Sequence, residues 1–101
     1  MDFQTYTVRA NKGKPRVWLE GKRLEASQFT QGTRYTVEQG NGYVHLRVAA
    51  DGKRKVSGKP DRPIVDLLGK ACGDLDTGTE VRIFYSINRI GIVAVPKEQQ
   101  A

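Results

Sequence analysis

The sequence predicts a mainly β fold with two short helices (β+α), built as two units around one small pseudo-two-fold core. Three observations predict it. Polar and β-forming residues alternate with a period of two over several short runs, clusters of Gly, Asn and Asp separate these runs, and a stretch of the first half returns in the second at a constant offset of 46. A chain of 101 residues with 38% hydrophobic content supports one compact domain, 1–101, with two repeat units at about 1–50 and 51–97 and a flexible tail at 98–101. Its core must be small, so pairing with a second chain is useful, and a homodimer is a possible state.

Thr5-Tyr6-Thr7-Val8 reads as an opening strand, followed by the turn-prone Asn11-Lys12-Gly13-Lys14-Pro15. Arg16 to Glu20 is a second strand, with Val17 and Leu19 on one face and Arg16, Trp18 and Glu20 on the other. Leu24, Ala26 and Phe29 are the only apolar positions of the next segment, which predicts one or two helical turns ending before Gly32. Arg34–Glu38 and Tyr43–Val48 alternate around Gly40-Asn41-Gly42, predicting a hairpin. Tyr35, Val37, Val44, Leu46 and Val48 are then core positions, with Tyr43, His45 and Arg47 on the outer face. Arg54 to Lys59 is a basic strand. Asp61 can cap a helix with Pro63 in its first turn and Ile64, Leu67, Leu68 and Ala71 at i, i+3, i+4 and i+7, ending at Gly73. Glu80–Tyr85 and Gly91–Val95 make a second hairpin around Ile87-Asn88-Arg89.

The repeat aligns Phe29–Val37 with Leu75–Ile83: an apolar residue, a Gly-Thr turn and a β run. Upstream, Gly13-Lys14, Val17 and Gly21-Lys22 are expected to answer Gly52-Lys53, Val56 and Gly58-Lys59. Two copies are too few for a propeller or solenoid, so two intertwined units around one core are expected.

The segment Val17-Trp18-Leu19-Glu20-Gly21-Lys22-Arg23-Leu24-Glu25-Ala26-Ser27-Gln28-Phe29-Thr30-Gln31-Gly32-Thr33, with its hairpin to Leu46, resembles the SymE-like branch of the AbrB/MazE swapped-hairpin superfamily. The resemblance covers roughly 35 residues of the first half. The second half keeps only Gly78-Thr79 and the hairpin, with a longer helix expected before them. The resemblance implies a swapped-hairpin-like barrel that binds DNA, with one chain supplying both of the units that two chains normally supply. It also implies an alternative, an RNA-binding toxin with ribonuclease activity.

Charge points the same way as the resemblance. The net charge of +6 is concentrated between Arg9 and Arg62, with 13 basic against 5 acidic residues, whereas Pro63 to Pro96 holds 3 against 4. Such a surface attracts polyanions by counterion release and steering, nucleic acid first and anionic membrane second. No apolar run approaches the length of a membrane span, and Met1-Asp2-Phe3-Gln4 lacks the features of a signal peptide. We therefore expect a cytoplasmic protein without a membrane partner, nucleoid-associated if it binds DNA, with DNA favoured over RNA. A transcriptional regulator or a phage or plasmid accessory protein fits, and a protein-interaction module with a basic face is a third reading.

Phosphate contacts are expected from Lys12, Lys14, Arg16, Lys22 and Arg23 in the first unit, from Lys53, Arg54, Lys55, Lys59 and Arg62 in the second, and from Arg47 on the hairpin. Trp18 and Tyr43 are candidate stacking residues, although a neighbouring strand can also cover Trp18. We expect no catalytic residue, metal or cofactor: His45 is the one histidine, Cys72 the one cysteine, and Asp74 and Asp76 suit turn hydrogen bonds as well as a cation.

Overall fold

The alternating runs become strands that pair into two antiparallel sheets in the computed structural model, which describes residues 3–96. The expected flexible tail at 98–101 lies outside the described residues, as does Lys97. The elements are β1 (Gln4–Thr7), β2 (Arg9–Asn11), β3 (Lys14–Glu20), α1 (Lys22–Ala26), β4 (Arg34–Gly40) and β5 (Tyr43–Val48), followed by β6 (Arg54–Lys55), β7 (Ser57–Lys59), β8 (Arg62–Leu68), a 3₁₀ turn (Gly69–Cys72), β9 (Glu80–Ser86) and β10 (Arg89–Ala94). One sheet has six strands in the order β1-β9-β10-β5-β4-β6, the other four in the order β2-β3-β8-β7. One apolar cluster joins them: Val17, Leu19, Val65 and Leu67 from the small sheet meet Val44, Leu46, Ile83 and Ile92 from the large one, with Leu24 and Phe29 from α1 and its exit.

Both hairpins form where the alternation places them. Tyr35, Val44 and Leu46 are buried and Val37 and Val48 partly so, while His45 and Arg47 are exposed. The short helix after β3 is also present, held by Leu24, which is fully buried.

The second helix is not. Residues 62–68 are the strand β8, paired on one side with β3 (Val17 opposite Leu67, Leu19 opposite Val65) and on the other with β7 (Ser57 opposite Ile64). Pro63, Val65 and Leu67 are buried, whereas Ile64 is half-buried and Leu68 is 39% exposed. The helical spacing of Ile64, Leu67, Leu68 and Ala71 is thus accidental, and the period of two carried by Pro63, Val65 and Leu67 prevails. Partners on both sides supply the backbone hydrogen bonds that a helix would have made internally. Only the 3₁₀ turn remains of the expected helical end.

The barrel is not closed either. Residues 4–11 form one bent stretch whose first part (β1) pairs with β9 and whose second part (β2) pairs with β3. At the bend the Val8 N–H donates to the Thr79 carbonyl and its own carbonyl accepts from the Gly78 N–H. Residues 54–59, expected as one strand, bend in the same way at Val56, which donates to Thr33 and accepts from Gly32. The ladder is interrupted at both bends, so two sheets with free edges result. The upstream repeat is misaligned by the same finding: Val17 lies inside β3, whereas Val56 is a bend, and the segment facing β3 is Arg62–Leu68.

The strand at 62–68 has a direct test. Leu67→Ala should cost about 2–5 kcal/mol in urea unfolding, as expected for a truncated core leucine, and Leu68→Ala should change stability by less than about 0.5 kcal/mol. Equal losses at both positions would restore the helix.

Candidate nucleic-acid interface

The outer face of the four-stranded sheet gathers much of the predicted basic set, because the residues alternating with its buried ones are charged. Lys14, Arg16, Trp18 and Glu20 of β3 face outward, as do Arg62, Ile64, Asp66 and Leu68 of β8. The register sets Trp18 opposite Asp66 at the centre of the β3–β8 pair. There Arg16 grips Asp66 with two parallel hydrogen bonds of 2.9 Å, and its guanidinium lies 4.6 Å from the Trp18 ring centroid. The hydrogen bonds to Asp66, chiefly, hold the Arg16 pKa above its ordinary value. Arg16 is therefore committed to its neighbours, and one face of Trp18 is covered by that arginine. The N-terminal strand approaches Trp18 as well, since the Trp18 N–H donates to the Tyr6 hydroxyl at 3.0 Å.

Among the described residues, cations without an ion-pair partner stand at the two ends of this sheet instead. At one end are Lys12 in the β2–β3 turn, Lys14 at the start of β3, and Lys70 in the 3₁₀ turn, all exposed. At the other are Lys22, Lys59 and Arg62, also exposed, with the Gly21 N–H bonded to the Pro63 carbonyl to bring α1 against β8. Lys14 and Arg62 are separated by eight residues of antiparallel register, which is roughly 26 Å of strand.

Other predicted residues lie elsewhere. Arg23 projects from α1 to within 5.8 Å of the Tyr85 ring, beside Phe3 and Ile87. Lys53 and Lys55 are exposed near the β6 edge, whereas Arg54 is half-buried and pairs in register with Tyr35. Arg47 is exposed on the large sheet and ion-paired with Glu38 at 3.1 Å. Tyr43 sits on the same face with its ring 4.7 Å from that of His45.

The residues singled out from the sequence did not include Arg9, Arg34, Lys70, Arg82 or Arg89. Arg9 is opposite Arg16, and Arg82 and Arg89 share the outer face of the large sheet with Tyr43 and Arg47. The alternation around Ile83 and Ile90 was the available signal for the last two; Lys70 was hidden by the helix assigned to its segment.

The remaining chemically interesting residues are structural. Both Asp74 carboxylate oxygens accept from the Gly42 N–H at 3.1 Å, tying the 3₁₀ exit to the first hairpin turn. Among the described residues no group of three or more His, Cys, Asp and Glu could hold a metal ion. Cys72 is buried with its thiol directed at the Leu67 and Pro15 carbonyls, and burial pushes its pKa up, the reverse of an activated thiol. No helix among the described residues is long and apolar enough to cross a membrane.

Two measurements probe these contacts. Asp66→Asn should alter the emission of Trp18, the sole tryptophan, by freeing Arg16 from the indole; an unchanged spectrum would refute the stack. Burial pushes the Tyr85 phenol up to about 12, above its ordinary value of about 10. Between these values the unfolded chain releases this proton and the folded chain keeps it, so stability should fall as pH rises through that window. Tyr85→Phe should flatten this alkaline limb in denaturation curves, and it should cost roughly 1 kcal/mol at neutral pH through the lost hydrogen bond to Gln4. The flattening is partial, because burial also raises the Tyr35 phenol.

Comparison with known proteins finds no matching family model, no similar curated protein and no similar solved structure.

Proposed function

We propose that this chain is a DNA-binding protein of the regulator or accessory type, built from two fused swapped-hairpin-like units, which lays its four-stranded sheet against the phosphates of a duplex. The observation that carries this reading is the placement of four cations. A step of 48 residues takes Lys14 to Arg62 and Lys22 to Lys70, so the same two positions are basic at both ends of the sheet.

The register supports that step. Adding 48 carries β2 and β3 onto β7 and β8 and turns the pair Arg16–Leu68 into Ile64–Glu20, while Trp18–Asp66 maps onto itself. In the large sheet the step is 46: Arg47–Arg89 becomes Val93–Tyr43, and His45–Gly91 maps onto itself. A two-fold relation through those two central pairs accounts for every one of these matches. Each half also lends its first strand to the other half's hairpin, β1 to β9 and β6 to β4, which is the interlock expected of a swapped-hairpin dimer fused into one chain.

A two-fold protein surface suits a duplex, whose backbone offers phosphates symmetrically about a local dyad, and the roughly 26 Å between Lys14 and Arg62 falls within one turn of DNA, about 34 Å. The centre of the face is the closed Arg16–Asp66–Trp18 group, so the ends do the holding. Recognition on this reading is dominated by phosphate, with a strong salt dependence.

Anisotropy titration of labelled duplex DNA at two salt concentrations tests it. Lys14→Glu and Arg62→Glu should each weaken binding and lower the salt slope by about 1, and the double variant should do so further. Absence of saturable binding at low salt, or binding indifferent to both substitutions, would overturn the reading.

A further inference from the structure

We infer that the outer face of the six-stranded sheet is a second and separate nucleic-acid surface, a platform on which unpaired bases of a single strand stack. The register across the sheet lines up Phe84, Gly91, His45 and Glu38 in one row, with Phe84 opposite Gly91 and Gly91 opposite His45. Phe3 continues that row beyond Phe84, its ring 5.6 Å away. Gly91 places no side chain between Phe84 and His45, and the His45 imidazole leans toward it, 3.5 Å from where a Cβ would stand. The result is an open depression of ≈ 490 Å³ floored by Gly91 and flanked by Phe84, His45 and Val93.

Arginines stand in the rows on either side. One row holds Arg82, Val93 and Tyr43, and the other holds Ser86, Arg89 and Arg47. Successive rows on one face are two residues apart, about 7 Å, and neighbouring strands are about 4.8 Å apart. Phe84 and His45 therefore lie about 10 Å from each other, with Arg82 on one flank and Arg89 on the other, Arg47 being paired with Glu38. Arg82 lies 4.9 Å from the Phe3 ring centroid. Lys55 and Arg34 pair at the far edge of the same sheet. Among the described residues, the acidic ones on this face are Glu38, paired with Arg47, and Glu80.

Half-exposed aromatic rings within a cationic frame match the two components of a single strand, a π-face on each base and a charge on each phosphate. A duplex hides its base faces and gains nothing from the rings. An acidic peptide would use the arginines alone. The occupant we commit to is therefore single-stranded nucleic acid, and its sugar is read out by comparing DNA with RNA.

The test uses labelled oligothymidine, oligouridine and a duplex, titrated with the full chain and with Phe84→Leu, which keeps an apolar strand residue while removing the ring, and with Arg89→Gln on the exposed turn end. Phe84→Leu should weaken single-strand binding by about tenfold and leave duplex binding unchanged, and Arg89→Gln should weaken the same two oligomers with a lower salt slope. Preference for one oligomer identifies the sugar. Single-strand binding that is absent, or that falls with Lys14→Glu and not with Phe84→Leu, overturns the platform, whatever the duplex result. Duplex binding lost while the Phe84-dependent single-strand binding persists overturns the function proposed for the four-stranded sheet and leaves this one standing.

Discussion

At Val8 and again at Val56 the backbone leaves one sheet and enters the other, and each valine exchanges two hydrogen bonds with a Gly-Thr pair far away in sequence. The partners are Gly78-Thr79 for Val8 and Gly32-Thr33 for Val56, so each bend is secured by the opposite half of the chain. Gly32 and Gly78 hold φ values of 86° and 90°, a conformation that side chains bearing a Cβ resist, which explains the glycine in both pairs. Both valines are buried, so an unpaired amide at either bend would lack water as an alternative partner. With these four bonds in place, β1 can reach β9 and β6 can reach β4, and the two sheets enclose one core. Neither half contains a complete hydrophobic core by itself, since Val17 and Leu19 need Val65 and Leu67 beside them.

Much of this was legible in the sequence because local signals and tertiary demand agree there. Arg34–Glu38 and Tyr43–Val48 alternate, a two-residue Asn41-Gly42 turn joins them, and one face has a core to fill, so the hairpin follows from local chemistry. Residues 61–71 were misread because two periodicities overlap in them. A cap-like Asp61, an early Pro63 and four apolar residues at helical spacing outweighed the β-branched Ile64-Val65 pair and the alternation of Pro63, Val65 and Leu67. What decides between the readings is the presence of β3 alongside, a long-range fact that no window of eleven residues contains. The bends at Val8 and Val56 were invisible for the same reason.

The candidate site was legible as a charge distribution and much less so as a geometry. Thirteen basic residues between Arg9 and Arg62 pointed to a polyanion partner, yet Arg16 turns out to be held by Asp66, beyond that stretch, and Arg47 by Glu38 across its own hairpin. An alternating strand announces which side chains face outward, but not which outward-facing charges neutralise each other. The stretch from Pro63 to Pro96 contributes Lys70, Arg82 and Arg89 despite being nearly neutral overall, with acidic residues engaged in contacts such as Asp66 with Arg16 and Asp74 with the Gly42 amide.

The two outer faces answer different physical problems. On the small sheet the centre is closed by a salt bridge stacked on Trp18 and the charge stands at the ends, which on the proposed reading suits a rigid polyanion long enough to touch both. On the large sheet the centre is a depression at Gly91 between Phe84 and His45, and the charge surrounds it, which on the proposed reading suits a flexible polyanion that can turn its bases down. Both arrangements centre on residue pairs that the fold's internal register maps onto themselves, Trp18 with Asp66 and His45 with Gly91. A pair in that position carries two different residues only if the two halves differ in sequence. Asymmetry at these two points, a tryptophan facing a carboxylate and an imidazole facing bare backbone, is therefore chemistry that one chain with two diverged halves can hold and a dimer of identical chains cannot.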